Sequence, residues 1–212
     1  MNLKAIMIAV AALASAASVS AAPVTWVDWT SGTAGPSGSA NGVVDLGAPG
    51  PDASDISVSY SGEIAFIQTS GGTNYWTGTS YVSPEVDNGP GTPDIIALSS
   101  ATTKTLTFSA PVDNLFFAVV SLNGNGYSFN EDFEILSFGC GYWGCGTLTK
   151  NVVGPEYQLI GSGEPHGVIR FNRAVSSITW SSLTNENWTG FTVGPYGAAP
   201  PIPEPSTYAL MS

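Results

Sequence analysis

The chain has 212 residues, with 16 Asp or Glu against five Lys or Arg and a formal net charge of −11. That balance argues against nucleic acid and anionic membrane as partners, since both are bound through basic patches. Charged residues are only 10% and aromatics 11%, so Ser, Thr, Asn and Gly supply the polar surface and the ring content excludes a disordered chain.

Residues 1–21 read as a signal peptide. Lys4 gives a small positive start, Ala5 to Ala17 is an apolar run, and Val19-Ser20-Ala21 fits the small-x-small cleavage rule. Cleavage is placed after Ala21, because a cut after Ala22 would set Pro23 beside the scissile bond. The apolar run is too short to span a bilayer, which disfavours an N-terminal anchor. Without this segment the chain keeps 16 acids and four bases, a net charge of −12. Residues 22–196 have the length of one domain with a full core.

Within that domain, residues 24–29 read as a first strand and 31–53 as a long Gly/Ser/Pro loop with one strand at Val43 to Leu46. Ile56-Ser57-Val58-Ser59-Tyr60 alternates at period two, and Glu63 to Gln68 follows a Ser-Gly turn as the return strand of a hairpin. Residues 70–93 are irregular. Thr103 to Ser109 alternates strictly, with Leu106 and Phe108 inward. Leu115 to Leu122 is apolar on both faces, so it reads as a central strand covered on both sides. Asn123-Gly124-Asn125-Gly126 is a turn signal. Phe133 to Phe138, Gly167 to Asn172, Val175 to Ser181 and Trp188 to Val193 complete the strands, and Arg173-Ala174 is a tight link. About ten short strands without helices predict a single all-β domain, an antiparallel two-sheet sandwich of jelly-roll-like or Ig-like form. Gly197 to Ile202 is a Pro/Ala linker.

Cys140 and Cys145 are the only cysteines, in Gly139-Cys-Gly-Tyr-Trp-Gly-Cys-Gly146. In an oxidising compartment they predict a disulfide closing a short loop, and the glycines allow the sharp return. Such a loop fixes Tyr142 and Trp143. These rings, with Tyr75, Trp76 and Tyr81 as a second group, are candidate platforms for stacking on sugar faces. The plainer reading has them capping the ends of the core. Trp26, Trp29, Trp180 and Trp188 sit in predicted strands and are expected to be mostly core. For calcium, Glu131 and Asp132 beside Asn130, and Asp87 beside Glu85 and Asn88, offer clustered hard oxygens, as do Asp52 and Asp55. None follows the D-x-[DN]-x-[DN]-G loop, and solvated acidic loops are the plainer reading. No other cofactor is indicated.

Catalytic signals are sparse. His166 is the only histidine; it lacks a Gly-x-Ser-x-Gly partner and reads as a solvated loop residue. Glu63, Glu131, Asp132 and Glu134 are available for a carboxylate pair, but no spacing singles two of them out. Asn187-Trp188-Thr189 fits the glycosylation sequon and is read as coincidence. A phosphate-binding Gly loop with Lys is absent. The chain is therefore expected not to be an enzyme.

The chain closes on Ile202-Pro203-Glu204-Pro205-Ser206-Thr207-Tyr208-Ala209-Leu210-Met211-Ser212. This run resembles the opening of the sorting tail of PEP-CTERM proteins, exported proteins of exopolysaccharide-making Gram-negative bacteria. The family tail joins a Pro-Glu-Pro motif, an apolar membrane-spanning helix and a short basic cluster, and an exosortase-type enzyme processes it at the membrane. Pro203, Glu204 and Pro205 match the motif. Only Tyr208, Ala209, Leu210 and Met211 follow as apolar residues, short of the ~20 a span needs, so no membrane span is expected in residues 203–212. Leu106 to Leu115, Val175 to Trp180 and Asn187 to Gly194 also resemble, more loosely, the body of many proteins of this family. The resemblance implies export to the cell surface or extracellular space, an exosortase-type partner, and a non-catalytic matrix protein associated with exopolysaccharide or biofilm. A carbohydrate-binding module using exposed aromatics, with or without calcium, is the alternative, and a glycoside hydrolase is third.

Overall fold

A computed structural model of the chain describes residues 23–47 and 50–196. The predicted signal segment, its cleavage site at Ala21 and Ala22, the linker 197–202 and the Pro203-Glu204-Pro205 motif lie outside the described residues. Fourteen strands and no helix are present among the described residues. They are β1 (Asp28–Thr33), β2 (Gly35–Val44), β3 (Ile56–Ile64), β4 (Phe66–Gln68), β5 (Ile95–Leu98), β6 (Thr103–Val112) and β7 (Phe116–Val120), followed by β8 (Gly126–Phe129), β9 (Phe133–Gly139), β10 (Gly146–Val153), β11 (Glu156–Gly163), β12 (His166–Phe171), β13 (Val175–Ser182) and β14 (Thr189–Gly194).

The strands form two antiparallel sheets. One has eight strands in the order β1-β2-β3-β6-β13-β8-β11-β10, the other six in the order β4-β5-β14-β7-β12-β9. The all-β two-sheet sandwich read from the sequence is therefore the fold. The main core lies between the sheets, where alternate residues of facing strands meet. Phe117 is its hub: its ring centroid lies 4.9 Å from Phe191, 5.5 Å from both Phe129 and Trp180, 6.1 Å from Tyr127 and 6.4 Å from Phe171. Burying each such ring contributes about 1.5–3 kcal/mol.

β7 is buried along its whole length. Phe117 and Val119 point into the inter-sheet core, and Phe116, Ala118 and Val120 point to the other face. That face is covered not by a third sheet but by the long β4–β5 connection, which lays Trp76, Tyr81 and Val86 against Phe116, Ala118, Val120, Ile95 and Val168. The predicted central strand covered on both sides is thus present.

Several boundaries differ from the sequence reading. The first strand begins at Asp28, and Val24 makes only an isolated bridge to Tyr196. Most of the predicted loop over 31–53 is strand: β1 and β2 pair as a hairpin. The inward positions of β2 are Gly38, Ala40, Gly42 and Val44. A Cβ on Gly38 would sit 2.8 Å from Ile64 Cγ1, and one on Gly42 would sit 2.5 Å from Val27 Cγ1 and 3.0 Å from Trp29 Cε3. Bulky neighbours thus take the space, and the strand shows no apolar alternation to read. The predicted hairpin of Glu63 to Gln68 on Ile56 to Tyr60 does not form: β3 pairs with β2 and β6, the chain crosses between sheets at Ala65, and β4 pairs with β5. β5, β8, β10 and β11 are strands beyond those predicted. β10 and β11 form a hairpin turning on Gly154 and Pro155, with Gly154 at φ 61°. Only Leu148 of β10, with Leu159 and Gly161 of β11, is buried there.

Replacing Gly42 by Val should overfill this contact and lower stability by about 1–3 kcal/mol. Gly91, with nothing within 4 Å of a built Cβ, should accept Ala within about 0.5 kcal/mol. Thermal melts followed by circular dichroism check both; equal melting temperatures for the two variants would contradict the packing account.

Candidate functional site: an aromatic-walled cleft at one end of the sandwich

The loops β4–β5, β7–β8, β9–β10, β11–β12 and β13–β14 converge at one end of the molecule. The β9–β10 loop is closed by a disulfide between Cys140 and Cys145, with an S–S distance of 1.98 Å, as the spacing predicted. Gly141 N–H donates to the Gly144 carbonyl across the loop at 2.8 Å. Outside it, Ser80 Oγ donates to the Cys140 carbonyl at 2.7 Å and Glu164 N–H to the Cys145 carbonyl at 3.0 Å. A Cβ on Gly141 would lie 2.3 Å from the His166 ring, so the loop rests directly on that imidazole.

This support lifts Tyr142 and Trp143 into solvent, 43% and 54% exposed. Tyr75 meets them from the β4–β5 connection: its ring lies 5.0 Å from Tyr142 and is stacked on Trp143 at 6.4 Å and 25°. Trp188 closes the group, 5.0 Å from Tyr75 and 6.2 Å from Trp143. Phe66 backs both half-buried rings, 4.9 Å from Trp188 and 6.3 Å from Tyr75. The two aromatic groups seen separately in the sequence are therefore one patch at Tyr75, Tyr142 and Trp143. Trp76 is a correction: it is 6% exposed, its Nε1 donates to the Asp94 carbonyl at 3.1 Å, and it packs on Tyr81 in the cover of β7. It has no free face for stacking. Of the tryptophans expected in the core, Trp29 and Trp180 are there, while Trp26 and Trp188 are half-buried.

Beside the rings is a cleft of about 290 Å³, lined by Ser121, Asn123, Trp143, Glu164, Glu186, Asn187 and Trp188. Its volume sits at the lower end of small-ligand sites, ~300–1,000 Å³. Both carboxylates are positioned by neutral groups. Ser121, held in the left-handed region at φ 55°, donates its hydroxyl to Glu164; such a conformation in a non-Gly residue costs about 1–3 kcal/mol and is common at functional sites. Glu186 accepts from Asn125 Nδ2 at 3.0 Å, and Asn125 also ties down the β13–β14 loop through Thr184. Partial burial raises the Glu186 pKa above the usual carboxylate value, and the charge of Glu164 adds to this. The site can stack an apolar face on its rings and accept hydrogen bonds on its acids and amides.

Sequence reasoning passed over Ser121, Asn123, Glu164 and Glu186, and read Asn187-Trp188 as a strand start. The available signal was an indole inside the polar run Thr184-Asn185-Glu186-Asn187-Trp188, where a turn leaves a large ring without strand neighbours.

The acids singled out in the sequence lie outside this cleft. Glu131 is bound by Arg173 through Nε at 2.5 Å and an Nη at 2.6 Å. Asp132 is paired with Lys150 and also accepts from Asn172 at 3.2 Å, and these hydrogen bonds, Lys150 first, hold its carboxyl below the usual range. Asp87 is exposed, Glu85 pairs with Arg170, and Glu134 binds the same guanidinium at 2.9 Å. Among the described residues no group of three His, Cys, Asp or Glu is placed to hold a metal ion. Glu63 is buried and accepts from Ser99 Oγ at 2.8 Å and from the Ser99 and Ser100 N–H groups. Near it, buried Lys104 donates to the Thr102 carbonyl at 2.8 Å and Ser182 Oγ at 3.0 Å, and burial lowers its pKa to about 8 against the opposing pull of Glu63.

His166 is also a correction: it opens β12 and is fully buried. Its Nδ1 shares a hydrogen bond with the Tyr81 hydroxyl at 2.9 Å, and Nε2 has no partner. No family model matches the chain, and no curated protein or solved structure matches it either.

Burial lowers the His166 pKa from its ordinary 6.5 to about 4. The imidazole is thus neutral in the fold, while the unfolded chain takes up a proton below pH 6.5. Its contribution is fully present above pH 6.5 and is lost as the pH falls toward 4, by up to about 3 kcal/mol. Urea midpoints measured across that window should decline less steeply for His166→Gln than for the parent chain; parallel declines would rule this account out.

Proposed function

We propose that the protein is an exported, non-catalytic β-sandwich that binds polysaccharide at the cell surface or in the extracellular matrix through this aromatic end. One observation carries the reading: Tyr75, Tyr142, Trp143 and Trp188 form a continuous patch, braced by a disulfide, alongside a polar cleft. Rings already fixed in place lose little entropy when a pyranose stacks on them. Amides and carboxylates at the rim suit the hydroxyl groups around a sugar. The disulfide fits an oxidising compartment, in keeping with the signal-like N-terminus. The tail resembling that of PEP-CTERM proteins supports handling by an exosortase-type enzyme and a matrix rich in exopolysaccharide.

A second reading, glycoside hydrolysis, has one observation in its favour: Glu164 and Glu186 share the cleft, and Glu186 is raised toward the range of a general acid. New reducing ends that Glu186→Gln abolishes would replace the first reading with this one.

The test is co-sedimentation of the full chain with exopolysaccharide from the producing bacterium, paired with tryptophan fluorescence. Trp143→Ala should weaken binding about tenfold while leaving the melting temperature near that of the parent. Trp76→Ala should instead cost about 3–5 kcal/mol of stability. Undiminished binding by Trp143→Ala would remove the patch from the site.

A further inference from the structure

We infer that the cleft selects glycans bearing protonated amino groups, the de-N-acetylated amino sugars, over neutral and acidic ones. The inference rests on the glycan-binding reading and names its ligand class. Two carboxylates, two amides, a hydroxyl and two indoles line the cleft, and no Lys, Arg or His does.

The described basic side chains are all engaged elsewhere. Lys104 is buried in the scaffold, Lys150 pairs with Asp132, Arg170 with Glu85 and Glu134, and Arg173 with Glu131. Glu164 and Glu186 are held by Ser121 and Asn125, which orient but do not neutralise them. Partial burial raises the Glu186 pKa, and repulsion from Glu164 adds to it. A cation bound in the cleft offsets that repulsion.

The walls favour the same ligand. Trp143 and Trp188 border the carboxylates, and an indole face attracts an ammonium group as well as the C–H face of a sugar. A uronic acid polymer meets the opposite field: two acids in the cleft and an overall formal charge of −11. An N-acetyl group removes the positive charge, so it forfeits the electrostatic part of the attraction while keeping the stacking.

The full chain is titrated with glucosamine, N-acetylglucosamine and galacturonate hexasaccharides in mildly acidic, low-salt buffer containing EDTA, which excludes bridging by divalent ions. The expected order is glucosamine tighter than N-acetylglucosamine by about tenfold, with galacturonate weakest. Glu164→Gln with Glu186→Gln should erase the preference, and Trp143→Ala should weaken both of the first two oligosaccharides. Equal affinity for the first two, or tighter binding of galacturonate, overturns the inference and leaves the glycan-binding reading standing. A preference that survives the double Gln variant assigns it to overall charge and overturns the site. Binding of none of the three overturns the inference, and co-sedimentation with native exopolysaccharide then decides separately whether glycan binding survives.

Discussion

The structure depends on one packing constraint: the six-stranded sheet is apolar on both faces, and the described chain has no helix to cover the outer one. Parallel sheets meet this demand with crossover helices. Here every pairing is antiparallel, and the demand falls on the irregular stretch between β4 and β5. It meets it with few but bulky anchors, Trp76, Tyr81 and Val86, which bury the outward side chains of β7. Polar staples hold the segment at intervals. Gln68 Nε2 donates to the Thr73 and Pro93 carbonyls, Ser137 Oγ to the Ser80 carbonyl, Tyr196 Oη to the Glu85 carbonyl, and Arg170 pairs with Glu85. A loop of this length without its own strands would otherwise be costly to order.

The candidate site follows from that cover. Tyr75 directly precedes the anchor Trp76, and Ser80 directly precedes the anchor Tyr81. The first of these neighbours stacks with Trp143, and the second holds the Cys140 carbonyl. Tyr81 reaches His166, on which Gly141 rests. The rings at the surface and the core beneath are thus linked through two-residue steps of one segment: the first residue meets the disulfide loop and the next faces the sheet. The same linkage explains why His166, directly after Pro165 at the start of β12, is buried. The disulfide loop folds over it like a lid fixed at both edges.

Legibility in the sequence tracked side-chain size. Strands whose inward positions carry large residues, such as β3, β6 and β13, show their period plainly, and β7 shows as an unbroken apolar run. β2 does not, because Gly38 and Gly42 make room for Ile64, Val27 and Trp29; the pattern there is set by partners distant in sequence. β10 and β11 bury only three residues between them, Leu148, Leu159 and Gly161, too few for a periodic signal. The disulfide was legible because it is local. The ring patch was half legible: Tyr142 and Trp143 announce themselves by their glycines, but their meeting with Tyr75 and Trp188 is a tertiary fact. The acids show the reverse error. Clustering in sequence drew attention to Glu131 and Asp132, yet Arg173 and Lys150 pair with them, while the cleft carboxylates Glu164 and Glu186 come from isolated positions in two different loops.

Strand order has a consequence for how the chain reaches this state. β14 is the last strand in sequence yet lies between β5 and β7 in the smaller sheet. Without it that sheet falls into two unjoined pieces, and its core loses Phe191, the ring stacked on Phe117 at 4.9 Å and 11°. Beyond it, Tyr196 bridges back to Val24 at the start of the domain. A growing or translocating chain therefore cannot complete the sandwich until nearly all of the domain has emerged. Most pairings also join strands far apart in sequence, a topology that folds in milliseconds to seconds rather than microseconds. Closure of the smaller sheet is therefore a late step in folding.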